Sequence, residues 1–504
     1  MSSRYILAVD QGTSGSKSLI FDENGTALAR GFQPLSSSFP QPGFVEQDPE
    51  EIYQSALASV KRCLKAFEQV RPGASAEISC CGISNQRETF VLWDREGQPV
   101  HPAVVWQCKR SIPVCERLKA EGLEPEVSRR TGLILDPYFS ASKLIWLLEN
   151  EPPVKEMIGR GGVLFGTVDS WLLHRLTRGA SHLTDFTNAA RTLLFNLDAL
   201  EWDSHLVDKF GLSPLNLPET RPSSWDFGES DFDGILPRPV RITAMAGDSH
   251  ASSFGQGCFT PGTAKATLGT GSSILLNVGP QRISSENGMV STICWSTAGR
   301  TDFALEGVIV TCGATVQWLR DQLGLFAQSR ESETLARSVP DNLGVVFVPA
   351  FSGLGAPHWR MDLRGAILGL TFGADKRHIV RAALESIPFQ IKDVITTMEA
   401  ESKAPLSEIK VDGGLTANAF VIQALADLLG TAVVDSGIED VSALGAACLA
   451  GLEAGVFRDF DHLAELNPEK TVHRPGENRI KIEREYRHWK ETLQQLLDLD
   501  HEHQ

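Results

Sequence analysis

The stretch AVDQGTSGSK, residues 8–17, decides how the fold begins. The apolar run at residues 5–9 predicts a buried strand, and the small polar residues at 10–16 predict a turn. Residues 17–22 return as a second apolar run, after which Glu23-Asn24-Gly25 is a strong hairpin signal. The sequence therefore predicts three consecutive strands at the start of the chain.

The same pattern of strand, small polar turn and strand recurs near the middle of the chain. Residues 263–268 predict a strand, residues 269–273 read GTGSS, and residues 274–278 predict the returning strand. Two related units half a chain apart predict two α/β lobes, residues 1–252 and 253–504, with a mixed sheet in each.

Apolar periodicity predicts further elements around these units. Residues 49–67 carry Ile52, Ala56, Val60 and Leu64 at helical spacing. The other predictions are strands at 78–83, 240–246, 345–351 and 409–412, helices at 165–176, 376–399, 418–429 and 479–500, and a loop-rich segment at 214–239.

The composition narrows the class of protein. Among 504 residues, 42% are hydrophobic and the formal net charge is -16, with no basic stripe of the kind that nucleic-acid binding needs. Nine cysteines without metal-site spacing favour buried thiols. No stretch approaches the roughly 20 apolar residues of a membrane span. The composition therefore predicts a cytoplasmic protein.

The first turn carries groups that suit a phosphate site. Its glycines leave backbone N–H groups open, Thr13 and Ser14 add hydroxyls, and Lys17 adds positive charge. Asp10 at the strand end suits Mg²⁺ held through water. On these residues alone an ordinary hairpin is favoured, but the turn at residues 269–271 has the same chemistry. Two such turns, one in each lobe, predict phosphates held from both sides and hence a bound nucleotide.

Asp248, in the run Gly247-Asp248-Ser249-His250 after a predicted strand, is a candidate catalytic base. Phosphoryl transfer needs a group that accepts the proton of the attacking hydroxyl, and aspartate commonly does so. Its position just before the second lobe suits a cleft between the lobes. An N-cap on the following helix is an equally weighted alternative.

Arg87 and Glu88, which follow a predicted strand, suit a substrate rich in hydroxyls because they offer adjacent donors and an acceptor. The alternative is a surface ion pair of little energetic value. Trp106 and Tyr138 lie in predicted loops, where they either flank a carbon chain or fill the core.

The run from Gly413 to Asn418 is a predicted turn from strand to helix. Its paired glycines, Gly413 and Gly414, allow the backbone to approach a flat ligand such as adenine or a ribose. Helix C-capping or tight packing of these glycines has equal weight.

Longer motifs make the chain similar to a known family over nearly its whole length. They are AVDQGTSGSK, ISNQRET, VVWQCKR, TGLILDPYFSASKLIW, LFGTVDSWLL, TDFTNAARTLLFN, ALEGVIVTCGATVQWLRD, VPAFSGLGAPHW and GAILGLTFGADKRHIVRAALES. The sequence resembles the FGGY carbohydrate kinases, and among them the glycerol kinases. The resemblance implies an actin-like ATPase fold of two RNase H-like domains with the active site in the cleft between them.

The resemblance also implies a role for each matching residue. Asp248 is expected to be the catalytic base, and Asp10 is expected to lie near Mg²⁺. Expected ATP contacts are Thr13, Ser14, Lys17, Thr270, Gly313, Gln317, Gly414 and Asn418, and expected polyol contacts are Arg87, Glu88, Trp106, Tyr138, Asp248 and Ser249.

The sequence departs from the glycerol-kinase pattern at three places. Ser249 stands where those kinases usually have glutamine, and Ser273 stands where they usually have an aromatic residue. Both changes predict a larger, more polar pocket, so a longer polyol such as a tetritol or pentitol is a second candidate. No Gly/Arg loop for fructose 1,6-bisphosphate is recognisable at residues 231–241, which puts that regulation in doubt.

Together these patterns predict ATP-dependent phosphorylation of a terminal hydroxyl of a small polyol, glycerol first, and allow a homodimer. A non-enzymatic ATP switch of the actin or chaperone type is the main alternative in another class. A hydrolase with a pair of catalytic carboxylates is less favoured, because it would need no phosphate turns.

Overall fold

The chain folds into alternating strands and helices, and the computed structural model describes residues 5–466 and 470–501. The strands are β1 (Tyr5–Gly12), β2 (Gly15–Phe21), β3 (Ala27–Pro34), β4 (Glu46–Gln47), β5 (Ile78–Asn85), β6 (Phe90–Trp93), β7 (Pro99–Val104), β8 (Leu164–Thr167), β9 (Leu183–Asp185), β10 (Phe195–Asn196), β11 (Glu201–Trp202), β12 (Glu219–Arg221), β13 (Ser224–Ser230), β14 (Val240–Gly247), β15 (Thr263–Leu268), β16 (Ser272–Gly279), β17 (Val290–Thr297), β18 (Arg300–Ile309), β19 (Val346–Val348), β20 (Ala366–Leu368), β21 (Glu408–Asp412), β22 (Ala432–Asp435) and β23 (Thr471–His473). The helices are α1 (Pro49–Val70), α2 (Ile112–Ala120), α3 (Glu124–Thr131), α4 (Ser140–Asn150), α5 (Pro152–Gly159), α6 (Val168–Leu176), α7 (Phe186–Ala189), α8 (Ser204–Lys209), α9 (Asp248–Gly255), α10 (Ala314–Asp321), α11 (Glu331–Arg337), α12 (Lys376–Ser402), α13 (Ala419–Leu429), α14 (Val441–Glu453), α15 (Phe460–Glu465) and α16 (Arg479–His501).

One large sheet runs through both halves, in the order β23-β22-β21-β15-β16-β18-β17-β13-β14-β5-β1-β2-β3. Its two halves meet through one residue pair, Ser224 on β13 and Thr297 on β17. The predicted mixture of parallel and antiparallel strands is confirmed in each half. The edge-to-edge junction of the two halves was not predicted, because the predicted loop at residues 214–239 contains β13, whose pairing with β14 and β17 joins them.

The two strand–turn–strand units have matching surroundings. β1 pairs antiparallel with β2 and parallel with β5, while β15 pairs antiparallel with β16 and parallel with β21. The predicted repeat is therefore confirmed at the level of strand pairing. Each turn follows the carboxyl end of a strand with a parallel neighbour, which is the edge where α/β proteins bind ligands.

Helix α1 follows its predicted periodicity. Asp48 accepts a hydrogen bond from the backbone N of Glu50 at 2.8 Å and so caps the helix N-terminus. The predicted apolar face is buried, and the helix continues past residue 67 to Val70.

Other boundaries differ where a short apolar run does not distinguish a strand from a helix. The helix predicted at residues 165–176 begins at Val168, because Leu164–Thr167 forms β8 of a second sheet ordered β4-β7-β6-β8. The strand predicted at residues 345–351 is limited to Val346–Val348, the part that pairs with β20.

Helices α9 and α14 cross where the two halves meet. α14 belongs to the second half in sequence but packs on β1, β5 and β14 of the first half. The crossing is close because it uses glycines: a Cβ at Gly445 would lie 1.7 Å from the carbonyl oxygen of Ala251. At Gly255 it would lie 2.6 Å from that of Val441. The predicted lobe boundary at residue 252 lies inside α9 and stays a prediction.

Apolar clusters fill both halves, and one cluster is shared between them. It includes Ile6, Ala8, Cys80, Ala244, Ala251, Ala443, Leu444 and Ala447. All nine cysteines are free and buried, which confirms their predicted packing role. Within residues 5–466 and 470–501, no helix has both the length and the apolar character needed to cross a membrane.

Candidate active site

A cavity of about 810 Å³ lies between the two halves of the large sheet. Its walls include Arg87, Trp106, Tyr138, Asp248 and Ser249 from the first half, and Lys265, Thr267, Thr270, Ser273 and Asp412 from the second. A cavity of this size suits a small-molecule site. The structure therefore brings the predicted polyol residues together around Asp248, except Glu88, which lies behind the wall.

Asp248 is the first residue of α9, and its side chain is 44% exposed beside the cavity. The N-cap is Gly247, with no side-chain capping bond, so the N-cap alternative for Asp248 is wrong. Oδ1 of Asp248 accepts a hydrogen bond from the backbone N of Ser249 at 2.6 Å and lies 3.3 Å from Nε of Arg87. The carboxylate is therefore held in place while it faces the cavity.

A buried cluster of two arginines and two glutamates lies beside Asp248. Nη1 of Arg87 is 2.8 Å from Oε1 of Glu306, and Nη1 of Arg191 is 2.5 Å from Oε2 of the same residue. Nε of Arg191 donates to Oε1 of Glu88 at 2.6 Å. None of the four is more than 5% exposed. The alternative of a surface ion pair at Arg87 and Glu88 is therefore wrong.

The two glutamates of this cluster respond differently to burial. Burial alone would raise the pKa of Glu306, but Arg191 and Arg87 outweigh it and hold that pKa well below its usual range. Burial outweighs the same two arginines at Glu88, and its pKa is raised. Glu88 also has a φ of 61°, a conformation that is rare outside glycine and is often found at functional sites.

Trp106 and Tyr138 form an aromatic wall of the cavity. Their ring centroids are 5.4 Å apart in an edge-to-face arrangement. Nε1 of Trp106 donates to Oγ1 of Thr13 at 2.9 Å, which joins this wall to the first predicted phosphate turn. The pair gives an apolar surface for the carbon atoms of a small polyol.

The first turn adjoins the cavity without lining it. Oγ1 of Thr13 donates to Oε1 of Gln86 at 3.3 Å, and Ser14 is exposed. Nζ of Lys17 donates to Oδ1 of Asp440 at 3.0 Å, which links the first half to the second. The phosphate contacts expected of Thr13, Ser14 and Lys17 stay predictions.

The second turn is part of the cavity wall. Thr270 lines the cavity, and its backbone oxygen accepts a hydrogen bond from the N of Cys312 at 2.9 Å. A Cβ at Gly313 would lie 2.6 Å from the carbonyl oxygen of Gly269, so glycine is needed for this close approach. The start of α10 thus supports the turn.

Three expected ATP contacts, Gln317, Gly414 and Asn418, are not among the residues that line the cavity. Asn418 caps α13 by accepting a hydrogen bond from the backbone N of Val421 at 3.2 Å. Gly413, in contrast, reaches the cavity. Asn418 is therefore the N-cap of α13, which is not the C-cap that the alternative expected, and the ATP contacts of all three stay predictions.

Asp10 follows the same edge of the sheet. Its carboxylate accepts hydrogen bonds from Oγ of Ser84 at 2.5 Å and from Oγ of Ser442 at 2.9 Å. Burial raises the pKa of Asp10, and the nearby Asp248 carboxylate acts in the same direction. The described residues contain no group of three or more His, Cys, Asp or Glu side chains arranged for a metal. One carboxylate still fits Mg²⁺, which proteins often hold with water and substrate phosphates.

Several residues of the cavity and the buried cluster were not predicted from the sequence, among them the charged residues Arg191, Glu306, Lys265 and Asp412. Glu306 is the one charged residue within residues 303–309 of β18, and Lys265 is the one charged residue of β15. A single charge in a mostly buried strand is the signal that points to them. Arg191 and Asp412 carry no such signal. Arg191 follows a run of small residues and Asp412 ends a strand, and charged residues are common at both kinds of position.

Models of the FGGY family of carbohydrate kinases match the chain, the N-terminal domain at residues 5–255 and the C-terminal domain at residues 264–454. A glycerol kinase of Ralstonia nicotianae is 46% identical to this chain over 494 residues. The match covers 98% of this chain and 98% of the relative. Glycerol kinase 2 of Thermotoga maritima is 43% identical over 497 residues, covering 98% of this chain and 99% of the relative.

Solved structures share the architecture. The crystal structure of Plasmodium falciparum glycerol kinase with ADP has a TM-score of 0.91 and 32% identity, with 98% of both chains covered. A xylulose kinase from Lactobacillus acidophilus has a TM-score of 0.87 over 98% of both chains, and its 22% identity makes it a comparison of fold alone. The predicted two-domain α/β fold is confirmed.

Proposed function

The chain belongs to the FGGY family of carbohydrate kinases, and we propose that it transfers the γ-phosphoryl group of ATP to a terminal hydroxyl of glycerol. The position of Asp248 is the observation that carries this proposal. Its carboxylate faces the cavity between the buried cluster of Arg87 and the turn of Thr270. Relatives that are 43% and 46% identical over nearly the whole chain are glycerol kinases.

Different residues around the cavity bind the polyol and accept its proton. Arg87 binds hydroxyls of the polyol at the cavity wall, and the rings of Trp106 and Tyr138 pack on its carbons. Glu88 lies behind that wall, so its side chain binds a hydroxyl only after turning toward the cavity. Asp248 accepts the proton of the attacking hydroxyl as the new P–O bond forms and the bond to the ADP oxygen breaks. Because Arg87 also contacts Asp248, polyol binding and base orientation depend on the same guanidinium.

The two turns bind the phosphates from opposite sides. Thr13 and Ser14 act from the first half, with Lys17 released from Asp440, and Thr270 acts from the second half with Gly313 behind it. Gln317, Gly414 and Asn418 bind the rest of ATP at the rim. Approach of the two halves excludes water while the phosphoryl group moves.

Asp10 would hold the Mg²⁺ that accompanies the nucleotide. The ion would neutralise charge on the phosphates during transfer. Burial and the nearby Asp248 carboxylate raise the pKa of Asp10, so a bound cation would favour the charged form of Asp10.

A longer polyol is the second candidate substrate, and two cavity residues favour it. Ser249 and Ser273 both line the cavity, and Oγ of Ser273 donates to Oε1 of Glu306 at 3.0 Å. Short side chains at both positions leave space beyond the reach of a three-carbon substrate. The extra hydroxyls of a tetritol or pentitol would find polar partners there.

A coupled assay of ADP release with Mg-ATP tests both candidates, using glycerol, erythritol, threitol, xylitol, ribitol and no polyol. Glycerol is expected to give the highest kcat/KM. If a longer polyol is better by about tenfold or more, a gap of roughly 1.4 kcal/mol, Ser249 and Ser273 make the longer substrate the correct one. ADP release that does not depend on any polyol would overturn the kinase proposal and favour an ATP switch.

A cytoplasmic location and a homodimer remain proposals. The location rests on the nine buried thiols, which suit a reducing compartment, and the dimer rests on helix faces that could pair. Cell fractionation tests the first, and light scattering of the purified protein tests the second.

A further inference from the structure

Lys265 is a buried cation in the cavity wall that the reaction described above leaves unused. It lies on β15, where Ala264 and Ala266 face the apolar core of the second half while Lys265 and Thr267 face the cavity. Strand alternation therefore directs a charged side chain toward the site.

The ammonium of Lys265 has no partner among the residues that the structure describes. The side chain is 0% exposed, and Nζ is buried without a hydrogen-bond acceptor or a carboxylate at ion-pair distance. Its neighbour in register on β21, Lys410, differs: Nζ of Lys410 donates to the carbonyl oxygens of Gln256 at 2.8 Å and Gly257 at 3.0 Å. Of these two neighbouring lysines, only Lys265 has a buried ammonium without a hydrogen-bond partner.

The other buried cations of the site are already compensated. Arg87 and Arg191 are paired with Glu306, and Arg191 also with Glu88. Burial lowers the pKa of Lys265, while Asp412 and Asp248 oppose this from beyond ion-pair distance. Burying an unpaired ammonium costs several kcal/mol. An anionic ligand that pairs with this ammonium would therefore bind favourably.

We propose that Lys265 binds the phosphoryl group in the cleft through its Nζ, as a further catalytic residue. The proposal rests on the proposed kinase function. A polyol is neutral and cannot compensate the ammonium, whereas a phosphate brought by the nucleotide or carried by the phosphorylated product can. The cation then stabilises negative charge on the phosphoryl group from the second half while Asp248 acts from the first.

The test compares Lys265→Met with Lys410→Met in the full chain. Methionine has a similar length and no charge, so Lys265→Met is expected to keep or raise the melting temperature. Lys410→Met is expected to lower it, because two carbonyl oxygens lose their donor, with kcat changed less than about threefold. Lys265→Gln is the second variant if the methionine variant does not fold.

Calorimetry with ATP, and separately with glycerol 3-phosphate, measures the proposed contact. Lys265→Met is expected to lower the affinity for ATP, for glycerol 3-phosphate or for both by about 10-fold or more. The affinity for glycerol is expected to stay within about threefold of wild type. Loss with ATP assigns the contact to the nucleotide phosphate, and loss with glycerol 3-phosphate assigns it to the product phosphate. Affinities for both anions within about threefold of wild type overturn the proposal, even if kcat falls.

The wild-type protein separates this proposal from the kinase proposal. If wild type binds ATP but phosphorylates no polyol, the kinase function fails, and the ATP arm still decides whether Lys265 binds phosphate.

Discussion

Glu306 fixes the arrangement of charge beside Asp248. Its oxygens contact Arg87 and Arg191, and Oε1 also accepts a hydrogen bond from Ser273. Breaking a buried ion pair by removing one partner costs about 3–5 kcal/mol, because the other charge stays buried. Since Glu306 lies in the second half, the position of Arg87 in the first half depends on both halves being in place.

Asp248→Asn tests the proposed base at the level of one residue. Asparagine preserves the shape and can still accept the hydrogen bond from the N of Ser249, but it cannot take the proton. We expect kcat in the coupled ADP assay to fall at least ~10²-fold, with an unchanged melting temperature.

Asp226→Asn is the matched control for that variant. Asp226 is 49% exposed and paired with Arg241 at the surface, so its replacement should leave kcat unchanged. An Asp248→Asn protein that kept more than about a tenth of wild-type kcat would argue against the base.

At the residue scale, the sequence shows which polar residues follow predicted strands. Asp248, Arg87 and Thr270 were identified as site candidates in this way. The sequence does not indicate long-range partners. Arg191 and Glu306 meet across 115 positions of the chain, so their pairing depends on how the halves are folded together. No local pattern could have placed Glu306 between two arginines.

At the scale of elements, the crossing of α9 and α14 positions the candidate base. α9 begins with Asp248, and α14 presses against it at Gly445 and Gly255. Any side chain at these positions would push the helices apart, because the nearest atoms belong to backbone. The base therefore depends on a helix that is distant in sequence.

Gly445→Ala tests this dependence. The added methyl would overlap the carbonyl oxygen of Ala251 at 1.7 Å, so α9 must shift. We expect the free energy of unfolding, measured with urea, to fall by about 1–3 kcal/mol, and kcat to fall as well.

Gly159→Ala is its control, because α5 ends there and no described atom lies within 4 Å of the new methyl group. This change should leave stability unaltered or raise it by a few tenths of a kcal/mol. Equal stability of the Gly445→Ala protein and wild type would mean that the crossing is not as tight as the geometry requires.

Elements with a clear period were predictable from the sequence: β15 has the predicted bounds, and α1 and β1 begin at the predicted residues. β1 continues to Gly12, into residues that were predicted as a turn, because these residues pair with β2. β13 was not predictable, because its pairing depends on strands far along the chain. β8 was missed for a different reason, since four apolar residues before a helix read as part of that helix.

On the scale of the whole molecule, the two halves form one structure around the cavity. The large sheet is continuous through Ser224 and Thr297, one apolar cluster draws residues from both halves, and Lys17 contacts Asp440 across them. The repeat in the sequence predicted two related halves, but it could not predict that they share a sheet and a core. A site between such halves can hold a nucleotide on one side and its acceptor on the other.

The most direct test of the account is the identity of the products. Purified protein is incubated with Mg-ATP and glycerol, and ADP, inorganic phosphate and glycerol 3-phosphate are quantified by phosphorus NMR. The account predicts equal amounts of ADP and glycerol 3-phosphate, with no ADP above background when glycerol is omitted. ADP accompanied by inorganic phosphate, with no phosphorylated glycerol, would contradict it.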